Sequence, residues 1–260
     1  MSLYFPLDDA VRKARRLEVA LPAEVAAGYD RLVELATRLE EFKASGLAAP
    51  VTSELNAAFA EAFEAGDDPL AAGAVAGLLG RGHAGTDLAG ALEAQAKRFL
   101  GQHAEAIFAS FGPVFDRAAN ALVEVHGRTG SVNLKHLPRD APRVERAEVA
   151  LTTVNDIVLV WKQFAFVPET PFRYDRTRGV LVIADVPPEI WWRTRPDTAG
   201  VSGAWDALCA GLTLCLATPA TYRQRCRAID DARDDVLRKI ERESQPARPE
   251  LRSKPTISVL

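Results

Sequence analysis

The stretch Phe108-Ala-Ser-Phe-Gly-Pro-Val-Phe-Asp-Arg-Ala-Ala-Asn-Ala-Leu-Val-Glu-Val125 decides the fold class. Its apolar residues Phe108, Phe111, Phe115, Ala118, Leu122 and Val125 follow one another at steps of 3 and 4. That alternation is one face of an α-helix laid against a partner. Gly112-Pro113 stands in its middle, where proline removes a helical hydrogen bond and calls for a kink or a new start. The alternation nevertheless keeps its phase on both sides. Whatever happens at Gly112-Pro113, both sides are expected to present one face.

The same period extends outward. Upstream, Thr86 caps a long helix carrying Leu88, Leu92, Phe99, His103 and Ile107. Downstream, Pro142 to Phe166 carries Val144, Ala147, Leu151, Val154, Val158 and Trp161 as its seam. Towards the N-terminus, Pro22 opens a helix to about Ser45 with Leu32, Leu35, Leu39 and Phe42 on one side. A short helix over Asp8 to Val19 precedes it, and Thr52 or Ser53 caps another with Leu55, Phe59 and Phe63 inward. Three seams of this kind in one chain predict a mainly α fold. They point to an antiparallel helical bundle or coiled-coil hairpins over residues 1–167.

The pattern changes after Pro168. Phe172 and Tyr174, then Val180 and Val182, alternate on either side of Asp175-Arg-Thr-Arg-Gly179. This predicts a small β-hairpin near residues 171–184. A two-helix unit is expected next: Ala204 to Ala217, almost wholly apolar, and Pro219 to about Glu243 with Tyr222, Cys226, Ile229, Val236 and Ile240 inward. Hairpin and two-helix unit form a second region over 168–244. Residues 245–260, with three prolines and no helical period, read as an extended tail.

Composition narrows the function classes. A chain of 260 residues with 48% hydrophobic and 26% charged residues can bury a core. A net charge of -3 argues against coating nucleic acid through a diffuse basic surface, because that affinity comes from neutralising phosphates. Three cysteines, Cys209, Cys215 and Cys226, are odd in number and lack a CxxC spacing, so they read as small hydrophobes. Neither a secretory signal nor a membrane span is expected, which places the chain in the cytoplasm, or in a virion if phage-encoded. Arginine outnumbers lysine 25 to 7 and alanine is abundant, as in chains from high-GC genomes, bacterial or phage.

Two motifs touch chemistry. Gly80-Arg-Gly82-His-Ala-Gly85 has the GxGxxG spacing, but no strand precedes it, so it reads as a flexible linker. Asp230-Asp231-Ala-Arg-Asp234 has the DDxxD spacing, which sets carboxylates on one helix face where they could hold Mg²⁺ against a diphosphate. The spacing resembles the aspartate-rich motif of isoprenoid synthases, and Asn155-Asp156 distantly resembles the second metal motif of terpene cyclases. The match departs from the pattern: the order is reversed, Leu159 stands at a hydroxyl ligand's place and Gln163 at an acidic one. The competing reading is a solvated face, with Asp234 paired to Arg238 and Asp235 to Lys239. His83, His103, His126 and His136 are scattered, with neither HExxH nor ExxH, and no catalytic set is expected.

The remaining unusual features point to protein contacts. Trp191-Trp192-Arg193-Thr-Arg195 combines residue types that could stack on bases or anchor a protein interface. Alternatively, one tryptophan plugs the hairpin onto the bundle and the other lies half exposed. Arg223, Arg225 and Arg227 stand in the first turns of a helix, where cations are disfavoured, so an acidic group or partner is expected near them. Leu3, Tyr4 and Phe5 at one end, and Ile257, Val259 and Leu260 at the other, read as arms able to dock on a neighbour. The expectation is a non-catalytic assembly protein without a cofactor, contacting other protein chains in a homo-oligomer or larger assembly such as a phage virion or morphogenesis complex. The alternative is a Mg²⁺-dependent helical enzyme acting on a diphosphate.

Overall fold

Gly112-Pro113 does not break its helix. In the computed structural model, which describes residues 4–44, 53–69, 88–130, 142–167, 170, 175–194 and 203–244, a single helix runs from Leu88 to Thr129 with Pro113 inside it. The residue before a proline is pushed out of the helical region by clashes of the ring with its N–H and its Cβ. Gly112 has no Cβ, which removes one of the two. Phe108, Phe111 and Phe115 on either side are fully buried and hold the helix to its partner.

In chain order the helices are α1 (Phe5–Arg16), α2 (Ala23–Ala44), α3 (Ser53–Ala65), α4 (Leu88–Thr129) and α5 (Pro142–Phe164). They are followed by α6 (Pro188–Thr194), α7 (Ala204–Cys209) and α8 (Pro219–Ser244). At 42 residues α4 is roughly 63 Å long, and α1, α2, α3, α5, α7 and α8 all pack against it. Its widest contact is with α5. Phe108 meets Trp161 and Phe164 at ring distances of 6.0 and 5.0 Å, while Glu124 approaches Arg146 at 3.7 Å. Partner numbers fall as α4 numbers rise, so the two helices are antiparallel. A mainly helical bundle is therefore the architecture, as the apolar periods require.

Within α5 the buried stripe is Val144, Ala147, Ala150, Val154, Ile157, Val160, Trp161 and Phe164. Leu151 and Val158, expected on it, are only half-buried. The seam is rotated by one residue in mid-helix, a difference that 3-4 counting cannot resolve when neighbouring positions are all apolar. The N-terminal residues also differ from expectation. Phe5 begins α1 and is exposed, while Tyr4 packs partly on the core with the Lys97 ammonium 5.4 Å from its ring. They form a helix start and not an extended arm; Leu3 lies outside the described residues. Asp9 is buried in α1 beside Lys13, 2.7 Å away, and Arg12. Burial pushes its carboxyl up, but the hydrogen bonds from both cations outweigh this and hold it below the usual range.

The small antiparallel sheet exists, with different strands. Asp175 Oδ1 accepts from the Thr177 N–H at 2.9 Å, an Asx turn that opens a 3-10 segment over Arg176–Val182. Val180 and Val182 thus sit in 3-10 turns. Strand β1 (Ala184–Asp185) follows and pairs with β2 (Thr213–Leu214), Ala184 opposite Leu214. Cys215 N–H and Ala217 N–H extend the pairing to the Ile183 and Val182 carbonyls, both at 2.8 Å. The predicted first hairpin strand, Phe172 and Tyr174, lies outside the described residues. The expected helix Ala204 to Ala217 ends at Cys209, and its remainder supplies β2. Gly80 to Gly85 also falls outside the described residues, as do His83 and His136. Among the described residues, no helix is long and apolar enough to cross a membrane.

The crossing of α2 and α4 is set by a missing side chain. A Cβ at Gly28 would lie 2.4 Å from the Phe99 ring, which is buried and itself packs on His103 at 4.4 Å. Alanine normally stabilises a helix by about 1 kcal/mol over glycine. Here the sign should reverse: Gly28→Ala is expected to cost about 1–3 kcal/mol by overpacking. Gly90→Ala, with nothing near its Cβ, should be neutral or stabilising. Urea unfolding of both variants checks this pair.

Candidate functional site

Helix α8 carries the acidic cluster and the three arginines, and it has two unlike halves. Pro219 is its first residue, where a missing N–H costs nothing. Glu105 of α4 reaches the helix start and accepts from the Ala220 N–H at 3.0 Å. That carboxylate suits the positive end of the helix dipole and answers part of the question posed by the neighbouring arginines.

The first half is fastened to the body. Tyr222 is buried edge-on against Trp161 at 4.7 Å, and its hydroxyl accepts from the Asp175 N–H at 3.3 Å. Trp161 Nε1 in turn donates to the Ala217 carbonyl at 2.9 Å. Burial pushes the Tyr222 phenol well above its ordinary value and also raises the Cys226 thiol, so neither is poised as a nucleophile. Among the described residues Cys209, Cys215 and Cys226 are free thiols, all half-buried.

The three arginines do not act together. Arg225 is buried and donates to the Leu181 carbonyl at 2.7 Å and the Cys215 carbonyl at 3.2 Å, with Asp185 3.7 Å from its Nε. It fastens α8 to both strands of the small sheet and is unavailable as a surface contact. Arg223 and Arg227 are exposed and, with Gln224 and Asp231, line a shallow depression along α8. Of the tryptophans, Trp191 is buried in α6, which packs on α8, and Trp192 is partly exposed. The Arg193 side chain, Arg195, and the tail residues Ile257, Val259 and Leu260 lie outside the described residues.

The DDxxD carboxylates are separated by their surroundings. Asp230 receives a two-pronged hydrogen bond from Arg178, 3.0 and 2.5 Å long, from the 3-10 segment. Asp231 and Asp234 face solvent, and Asp235 pairs with Arg238 at 3.3 Å. To join a metal site, Asp230 would have to give up Arg178. Among the described residues no group of three His, Cys, Asp or Glu side chains could hold a metal ion. Asp156 of the second motif is paired with Arg16 of α1. His126 packs edge-on against Trp205 at 5.4 Å.

Beyond Ala232 the helix leaves the body. Every residue from Arg233 to Arg242 is exposed, and this includes Val236 at 53%, Leu237 at 46% and Ile240 at 53%. Val236 and Ile240 were expected inward, on the face begun by Tyr222 and Ile229. Their spacing continues that face, but the body it packs on ends at Ile229. The feature missed by sequence reasoning is therefore an apolar stripe on a projecting helix. Compared with known protein families, with characterised proteins and with solved structures, the chain matches none.

Arg225→Glu should cost about 2–4 kcal/mol, because it leaves buried carbonyls unpaired and buries an uncompensated charge. Arg223→Glu combined with Arg227→Glu should shift stability by no more than about 0.5 kcal/mol, as exposed sites do. Thermal melting separates the two. The hydrogen bonds from Arg178 hold the Asp230 carboxyl below its usual range despite partial burial. Its contribution is full above the unfolded-state value near ~3.9 and is lost as pH falls through the lower folded value. Asp230→Asn should thus cost about 1 kcal/mol at neutral pH, the gap from wild type closing as the pH drops below ~4.

Proposed function

We propose that this protein is a non-catalytic helical component of an assembly, acting through protein–protein contacts made by the outer half of α8. One observation carries the reading: Val236 and Leu237 are about half exposed on a helical segment of which every residue from Arg233 to Arg242 is exposed. A solitary helix this short is marginal in water, and most helical stability comes from packing an apolar face. A projecting stripe of this kind, flanked by charges, is the form of a helix that packs on another chain. The acidic cluster supports the same reading, since Asp230 serves Arg178 and the rest are dispersed along an exposed face. The arginine- and alanine-rich composition suits a bacterial or phage setting, where a virion or morphogenesis complex is one such assembly.

The test is the size of the complex in an extract of cells that make the protein, cross-linked before lysis so that a contact that dissociates on dilution is kept. The wild-type chain should elute well above its 28.2 kDa mass. Val236→Glu combined with Leu237→Glu, substitutions at exposed positions, should leave its melting temperature unchanged and move it to the monomer position. Wild-type elution at the monomer position would overturn the proposal.

A further inference from the structure

The charges around the stripe specify what covers it. At 3.6 residues per turn, Ala232, Val236 and Ile240 lie along one line of α8, at steps of 4. Asp231, Asp235, Lys239 and Arg242 follow one edge of that line at steps of 4, 4 and 3. Arg233, Leu237 and Glu241 follow the other edge at steps of 4. Each edge therefore changes sign along its length, and both change near Leu237. The first runs from acid to base, the second from base to acid.

We infer that the outer half of α8 pairs antiparallel with the same segment of a second copy of this chain, about a two-fold axis at Leu237. In a two-fold antiparallel pair each edge meets its own copy running the other way. Asp235 then stands opposite Lys239 of the second copy and Asp231 beside its Arg242. On the other edge Arg233 faces Glu241, with the two Leu237 side chains meeting at the axis. Every contact is made twice, and every charged one joins opposite signs. The apolar line is covered by its own copy, Val236 lying about two residues, or ~3 Å, from the level of its counterpart. A parallel two-fold pair would instead set each edge against the other, and Leu237 would lie between Asp235 and Lys239 of the second copy and not against another Leu237. The apolar contact at the axis is what favours the antiparallel pair.

The pattern is self-complementary, which a surface built for an unrelated partner has no need to be. It uses the carboxylates that the DDxxD spacing offered to a metal, giving Asp231 and Asp235 cations as partners. The overlap, residues 231–242, is about 18 Å of helix. At a helix width of about 10 Å that contact covers only a few hundred Å², short of the roughly 1,200 Å² of a stable interface, so the dimer should dissociate on dilution.

The inference rests on the assembly reading above and names its partner. Its test uses the purified full-length chain, in sedimentation equilibrium at concentrations up to about 200 µM, the range of a weak interface. Wild type should move from monomer to dimer with rising concentration. Asp235→Lys alone and Lys239→Asp alone should each weaken dimerisation at least about tenfold, since each sets like charges together twice. Mixed one to one they should form a heterodimer within about threefold of wild-type affinity, because the swapped charges complement each other across both contacts. Both positions are exposed, and unchanged melting temperatures check that each variant is folded. A wild-type monomer at the highest concentration, unaffected dimerisation in the single variants, or no recovery in the mixture would overturn the inference. A purified monomer whose complex in extract is still lost with Val236→Glu and Leu237→Glu would leave the assembly reading standing and assign the stripe to a different chain.

Discussion

The antiparallel contact of α4 and α5 is the constraint on which the other elements depend. Phe108, Trp161 and Phe164 meet at its centre, and none is accessible to solvent. Burying one such side chain is worth about 1.5–3 kcal/mol. Trp161 passes the constraint onward. Its ring receives Tyr222 of α8, and its indole N–H holds the Ala217 carbonyl at the end of the small sheet. The sheet and the root of α8 are therefore positioned by a residue 56 positions earlier in the chain. On α4 itself the exposed Glu105 meets the α8 N-terminus.

From this root α8 is divided by the reach of the body and not by any change in its own sequence. Up to Ile229 its large apolar side chains, Tyr222 and Ile229, are buried, and Arg225 is committed to the Leu181 and Cys215 carbonyls beside the small sheet. Asp230, closed by Arg178, is the last side chain tied to the 3-10 segment. Beyond it the helical period continues unaltered while the residues from Arg233 to Arg242 are all exposed. An acidic cluster that suggests a metal site in isolation becomes, in place, one anchor and one edge of a contact surface.

Some readings of the sequence failed for identifiable reasons. Val180 and Val182 have the alternation of a strand, yet Asp175 folds its side chain back onto Thr177 and winds the segment into 3-10 turns. Local side-chain hydrogen bonds compete with strand pairing in this way. The apolar run from Ala204 to Ala217 has the composition of one buried helix. A short apolar run fits a buried helix or a buried strand equally well, and here it supplies both. Of the tryptophan pair, the placement of one ring inside and one partly outside was among the alternatives legible beforehand. The arginine triad was not divisible in advance, because three cations at alternate positions give no sign of which one finds carbonyls.

What the sequence alone determined is the helical period: each long helix, its apolar face and the persistence of that face through Gly112-Pro113. Period is a local property, written in residues three and four apart, and it survives without knowledge of the partner. What only the tertiary structure decided is where each face finds its partner and where it runs out. Val236 and Ile229 are the same kind of residue on the same line of one helix. One is buried and the other exposed because the body ends between them, and the position of that edge is fixed by contacts made more than a hundred residues away.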